Sequence, residues 1–218
     1  MWRTARRLRA PLARAGIGQR SANYLLISWR GFASVAAVAV ILWALEFGSG
    51  RNDLGAAFGD IGLNLRPPAD QLAALSLLLF LVCYAINLGF SLLRRAVGVR
   101  PKLATVNMPP QTVWETIVFA LLLSPMAGVS EEIVFRGLFQ WAFSKWTGDP
   151  ISAVASQAVL FGILHMYQGG LGVLRTFALG LVLGAGTLAS GSLVPAIIAH
   201  TLIDIAVAFV RPPVAARL

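Results

Sequence analysis

The sequence predicts an all-α integral membrane protein, a polytopic bundle of about seven transmembrane helices, on three grounds. Of its 218 residues, 57% are hydrophobic. Only 12% are charged, against roughly 25% in soluble domains. Several uncharged stretches approach the ~20 residues that a helix needs to cross ~30 Å of hydrocarbon. Together these observations exclude an ordinary water-soluble globular domain.

Seven hydrophobic segments account for the predicted helices. They cover residues 31–47, 72–93, 112–128, 128–146, 151–166, 176–189 and 193–210. Pro125 interrupts the third segment. Kinked backbone at membrane depth is tolerated where protein or water covers it, so the third and fourth segments are either two helices or one broken span.

Positive charge is concentrated in two clusters that flank hydrophobic segments. The first 20 residues contain six arginines and no acidic residue. The second cluster follows the second segment and consists of Arg94, Arg95, Arg100 and Lys102. Both lie on one side of the membrane if the first two segments form a hairpin, and the positive-inside rule then places the N-terminus in the cytoplasm. Membrane anchoring explains this charge better than nucleic-acid binding, so we expect no nucleic-acid partner.

The chain divides into four parts. We assign a basic cytoplasmic tail to residues 1–30, an N-terminal transmembrane hairpin with its loops to 31–111, a membrane core to 112–210 and a short C-terminal tail to 211–218. The core contains nearly all the chemistry available inside the membrane. Ionisable side chains there are costly and are functional candidates by default.

The motif Glu-Glu-x-x-x-Arg provides the first candidates. Glu132 and Arg136 are four residues apart on one helical face and can form an ion pair. Glu131 lies about 100° around the helix from Glu132. We therefore expect the ion pair to be structural and Glu131 to point unpaired into a cavity, where a carboxylate can act as a general base.

Both histidines of the chain, His165 and His200, lie in apolar segments. His200 and Asp204 share a helical face, so the carboxylate either orients the imidazole or meets a third group together with it. Phe161 and His165 also share a face, and we expect the phenyl ring to form a wall of the cavity.

Taken together, Glu-Glu-x-x-x-Arg at 131–136, Phe-x-x-x-His at 161–165 and His-x-x-x-Asp at 200–204 resemble the three motifs of the CPBP family of intramembrane proteases. This family includes the Rce-type CAAX prenyl endopeptidase and Abi-like bacteriocin-immunity proteins. The resemblance covers about residues 112–210. It implies an endopeptidase in which Glu131 activates water beside His165, and Glu132 with Arg136 supports Glu131. His200 and the residue at 204 then stabilise the oxyanion or complete a metal site.

The resemblance leaves the use of a metal open. Glu131, His165 and His200 would form a His₂Glu set of the kind that binds catalytic zinc. The alternative is a water activated by glutamate without a metal, with the imidazoles as hydrogen-bond donors. The family often has Asn where this chain has Asp204, and an ionised carboxylate would repel an oxyanion. Asp204 must then be protonated, support His200 or help to bind a cation.

Three functions are compatible with these residues. The first is an intramembrane endopeptidase that cuts a membrane-associated peptide, including lipidated, CAAX-like C-termini. The second is a non-catalytic immunity or scaffold protein of the same family, and the third is a small transporter or proton relay. In all three cases the lipid bilayer is a partner, and we expect the bacterial inner membrane as the location. The oligomeric state is left open.

Overall fold

The computed structural model describes residues 18–50, 53–100 and 109–209, apart from the side chains of 207 and 208. Most of the predicted basic tail, Lys102 and the predicted C-terminal tail lie outside these residues. In the described ranges the structure contains seven helices and no strand, which confirms the all-α prediction. The helices are α1 (Gln19–Gly48), α2 (Leu54–Asp60), α3 (Ala69–Ala96), α4 (Val113–Thr147), α5 (Pro150–Leu164), α6 (Gly170–Ser190) and α7 (Val194–Phe209).

Four of these helices, α1, α3, α4 and α6, are long and apolar enough to cross a membrane, and α5 and α7 are shorter apolar helices. The remaining helix, α2, has only seven residues and lies in the long connection between α1 and α3. A membrane-embedded helical bundle is thereby confirmed.

The third and fourth predicted segments form the single helix α4, so the alternative of one span is correct and Pro125 does not divide it. The turn before the proline widens into a π-helix over Phe119–Leu123. A π turn bonds five residues apart, which leaves room for a ring that would otherwise clash with the preceding turn. The hydroxyl of Ser124 donates to the carbonyl of Phe119 at 3.0 Å within this turn.

The bundle is built around α4 and α7. Helix α1 packs against α4, whereas α3 packs against α6 and α7, so the two helices of the predicted N-terminal hairpin contact different parts of the core. Leu79 and Cys83 of α3 pack with Leu183 of α6 and Ala199 of α7 in one buried cluster. Because lipid provides little hydrophobic driving force between helices, such close packing is what orders the bundle.

A loop after α2 holds the start of α7. The amide of Leu193 donates to the carbonyl of Gly62 at 2.8 Å. The side chain of Asn64 donates to the carbonyl of Gly191 at 2.9 Å, and the hydroxyl of Ser192 donates to the carbonyl of Asn64 at 2.7 Å. These three bonds fix the turn from which α7 begins, and therefore the depth of the residues along it.

Asp149 fixes the start of α5 in a similar way. Its carboxylate accepts hydrogen bonds from the amides of Ile151 and Ser152, at 3.0 and 3.1 Å, and from the hydroxyl of Ser152. The bond from the Ser152 hydroxyl, followed by the two amides, holds the pKa of Asp149 below its ordinary value. An aspartate at this position satisfies amides that the first turn of a helix leaves unpaired. The helix then runs uninterrupted to Leu164, one residue before the histidine that ends the second motif.

Candidate active site

The ion pair predicted between Glu132 and Arg136 is present and fully buried. Nη1 of Arg136 donates to Oε1 of Glu132 at 2.9 Å, and both side chains are 0% exposed. The guanidinium carbon of Arg136 also lies 4.3 Å from the centre of the Phe161 ring. A planar cation over an aromatic face is attracted by the ring quadrupole. The pair is thus held between α4 and α5 rather than exposed to lipid.

Glu132 has a second partner that helical spacing did not predict. Its Oε1 atom lies 2.7 Å from Nδ1 of His200 on α7. The ion pair predicted as structural is therefore also joined to His200, a contact that the expectation of support for Glu131 did not include. The packing of α7 on α4 explains this, because the imidazole of His200 spans both carboxylates, with Nδ1 at Glu132 and Nε2 facing Glu131.

Glu131 and Asp204 face the other ring nitrogen of His200. The Oε2 atom of Glu131 is 3.8 Å from Nε2, and the Oδ2 atom of Asp204 is 3.9 Å from it. The two side chains are about one-third exposed, at 33% and 32%. Glu131 is thus the more open carboxylate of the Glu-Glu pair. His200 is oriented by the hydrogen bond that its Nδ1 makes to the accepting carboxylate of Glu132, while Asp204 stands farther away.

His165 lies at the end of α5 and is half-buried. Its Nδ1 atom lies 2.7 Å from the carbonyl oxygen of Phe161. A carbonyl can only accept a hydrogen bond, so Nδ1 carries the proton and Nε2 remains available. The Phe161 ring packs edge-on against both imidazoles, with centroids 4.5 Å from His165 and 6.4 Å from His200. The aromatic residue predicted as a cavity wall therefore lies between the two histidines.

The approach of α7 to α4 depends on Gly128. A Cβ atom on this residue would meet the hydroxyl of Thr201, and would lie 3.1 Å from the carbonyl oxygen of Ile197 and 3.2 Å from the amide of Thr201. Two of these neighbours are backbone atoms that cannot rotate away. Gly128→Ala should therefore push α7 outward, weaken the bond between His200 and Glu132, and cost about 1–3 kcal/mol of stability.

Thermal unfolding in detergent, together with the imidazole ¹⁵N signals of selectively labelled protein, measures both effects. Gly89→Ala is the matched control, because a Cβ on this glycine of α3 meets nothing within 4 Å. Unchanged melting and an unchanged His200 signal in Gly128→Ala would show that the contact between α4 and α7 does not position the histidine.

The three predicted zinc ligands, Glu131, His165 and His200, are not gathered into one cluster that would hold a metal ion. In the part of the chain that the structure describes, no three His, Cys, Asp or Glu side chains lie close enough together to hold one. Nδ1 of His200 is engaged by Glu132, and Nε2 is 3.8 Å from Glu131. The ring of Phe161 separates His200 from His165.

Several polar residues that the sequence analysis left without a defined role connect the site to α6. Gln140 of α4 and Gln157 of α5 donate to the carbonyls of Gly184 and Gly180, at 3.2 and 2.9 Å.

Arg175 of α6 bonds to the turn that follows His165. A sequence signal for Arg175 exists, since it is the only lysine or arginine between residues 146 and 210.

Fold and site together define a class of protein: a helical membrane protein with carboxylates and imidazoles gathered in its core. Comparison with known families is consistent with this class. Residues 113–206 match the family model described as type II CAAX prenyl endopeptidase Rce1-like, which confirms the resemblance to the CPBP family over the core helices. No curated protein and no solved structure matches the chain. At the level of the family, the match indicates CAAX-type intramembrane protease activity.

Proposed function

We propose that this protein is an intramembrane endopeptidase that hydrolyses a peptide bond of a membrane-associated substrate. One observation carries the proposal: His200 is fixed by Glu132 at 2.7 Å while its other nitrogen lies 3.8 Å from the more exposed Glu131. Such a set has a carboxylate free to take a proton and an oriented imidazole beside it. These are the elements of general acid–base catalysis.

In the first step Glu131 removes a proton from a water molecule. The water oxygen attacks the carbonyl carbon of the scissile bond, and the carbonyl oxygen becomes a tetrahedral oxyanion. In its protonated form His200 donates from Nε2 toward this oxyanion. Glu132 holds the ring in place through Nδ1, and a preorganised donor of this kind contributes about 10²- to 10³-fold to the rate.

In the second step the intermediate collapses and the carbon–nitrogen bond breaks. Glu131 returns its proton to the leaving nitrogen, so the products are a carboxylic acid and an amine, and transfer of the acid proton to the amine gives the carboxylate and the ammonium ion. The proton balance closes without any other reactant. Each step of this proposal uses side chains and water alone.

His165 and Asp204 complete the proposed site without taking the transferred proton. His165 presents Nε2, since Nδ1 is bonded to the carbonyl of Phe161, and it can orient the attacking water. Asp204 stands 3.9 Å from Nε2 of His200 and supports the charged imidazole. This role accommodates an aspartate where the family often has asparagine.

The proposed orientation has the N-terminus in the cytoplasm of a bacterial cell. Arg20 at the start of α1 lies 3.9 Å from Glu115 at the start of α4, so both helices begin at the same end of the bundle. The basic clusters of the sequence support that end as the cytoplasmic side. The substrate class that fits is a peptide held at the membrane, with or without a lipid on its C-terminal part.

The function is tested by cleavage assays on detergent-purified protein with a panel of lipidated and unlipidated membrane peptides. We expect the wild type to cut at least one peptide, and His200→Ala and Glu131→Gln to lose this activity. Metal content and the effect of a chelator are measured on the same samples. If a cellular phenotype that depends on the gene persists in both variants, the protein acts by binding, as an immunity or scaffold protein would.

A further inference from the structure

The backbone that carries His165 lies where regular helix ends. Helix α5 stops at Leu164, and His165 follows with φ −96° and ψ 16°. A single 3₁₀ turn, Met166–Gln168, leads to Gly169 at φ 85°. Residues on such a turn are held less firmly than residues inside a helix, because fewer backbone hydrogen bonds constrain them. A histidine that must keep its ring in one orientation needs additional support here.

Arg175 of α6 provides a connection to this turn. Its Nη2 atom donates to Oε1 of Gln168 at 2.6 Å, and its Nη1 atom donates to Oδ1 of Asn87 on α3 at 3.1 Å. Asn87 is itself anchored, because its amide donates to the carbonyl of Cys83 at 2.9 Å. One guanidinium group therefore joins α3, α6 and the turn that follows His165.

The connection continues to the histidine through Tyr167. The side-chain amide of Gln168 donates to the hydroxyl of Tyr167 at 3.1 Å. The Tyr167 ring lies 5.6 Å from the His165 ring, tilted by 37°. His165 also packs against the Phe161 ring at 4.5 Å. The imidazole thus contacts two aromatic rings, one of which is held by the chain of bonds that starts at Arg175.

The chemistry of arginine suits this position. A guanidinium group has several donors in a rigid fork and can bond to two separate acceptors, whereas the single ammonium group of lysine is a point charge. Bonds from a charged donor are also roughly twice as strong as neutral ones. A permanent cation in an apolar helix is costly, and the two amide acceptors offset part of that cost.

We infer that Arg175 is a positioning residue for His165. It holds the turn at 166–168 against α3, and through Gln168 and Tyr167 it keeps the imidazole ring against Phe161 with Nε2 free. This inference rests on the proposed function for its catalytic consequence. The positioning itself is a structural property that can be measured whether or not a substrate is known.

The test uses the full chain in detergent micelles with ¹⁵N-labelled histidine. The chain has two histidines, so the spectrum contains two imidazoles, and the variants His165→Gln and His200→Gln assign them. Arg175→Met removes both bonds while it keeps an apolar side chain of similar length. Gln168→Leu removes the bonds of Gln168 to Arg175 and to Tyr167 but leaves α3 joined to α6, so it remains informative if Arg175→Met fails to fold.

We expect both variants to shift the ¹⁵N signals of His165 and to leave those of His200 unchanged. Thr176→Val is the matched control on α6, since its hydroxyl bonds only to its own helix, at Gly172 and Val173. Arg175→Lys should restore the His165 signal incompletely, because one ammonium group cannot reproduce both bonds. If Gln168→Leu leaves the His165 signals as in the wild type, the inference is wrong and Arg175 only joins helices.

Cleavage kinetics add an independent measurement where a substrate is found. A misplaced catalytic group lowers kcat, so we expect a fall of about 10- to 100-fold in kcat for Gln168→Leu with little change in KM. A change in KM alone would contradict positioning. Absence of cleavage in the wild type would count against the proposed function, while the histidine spectra would still decide the role of Arg175.

Discussion

Glu131→Gln is expected to lower peptide cleavage by about 10²- to 10⁴-fold, the range that a general base contributes. Glutamine keeps the size of the side chain but cannot accept a proton from water at neutral pH. The fold should tolerate the change, because the Glu131 side chain is 33% exposed and its closest charged neighbour, Nε2 of His200, is 3.8 Å away. The rate loss should therefore appear in kcat without a loss of thermal stability.

The neighbouring carboxylate offers the matched comparison. Glu132→Gln removes a charge from the buried pair with Arg136 and alters the partner of His200, so it should lower both activity and stability. A melting curve in detergent beside each rate measurement separates the two variants. If Glu131→Gln keeps full activity while Glu132→Gln is folded but inactive, then Glu132 is the general base and Glu131 is not.

The difference between these two residues shows what the sequence could predict. The ion pair of Glu132 with Arg136 follows from a spacing of four residues, and the structure confirms it. The division of roles between Glu131 and Glu132 was argued from an ideal helix of 3.6 residues per turn. Both glutamates lie in regular α-helix, so that spacing holds. The bond from Glu132 to His200 is a contact with another helix, which no periodicity in the sequence marks.

Other contacts between helices cannot be predicted from the sequence either. Apolar segments and their order could be predicted, because length and hydropathy determine them. The sequence left the break at Pro125 undecided, since the answer depends on whether the preceding turn widens. The role of Arg175 does not follow from the sequence, because its partners, Asn87 and Gln168, come from an earlier helix and a turn. Nothing in the sequence indicates that α3 packs beside α6.

Arg136→Met is expected to destabilise the protein by about 3–5 kcal/mol, the usual cost of leaving one charge of a buried pair without its partner. Both side chains are 0% exposed, so neither water nor lipid headgroups can replace the guanidinium. Methionine fills a similar volume and leaves only a small cavity. The loss should therefore reflect the isolated carboxylate of Glu132 rather than poor packing, and denaturant titration in mixed micelles measures it.

The double variant Glu132→Gln with Arg136→Met provides the decisive control. Replacing a whole buried pair is often close to neutral, and Nε and Nη2 of Arg136 lack hydrogen-bond partners within the described residues. We therefore expect the double variant to recover most of the stability while activity stays low, because His200 has lost the carboxylate that orients it. If Arg136→Met alone costs less than about 1 kcal/mol, then His200 must carry the compensating positive charge. The buried pair would then be part of the catalytic proton network rather than its support.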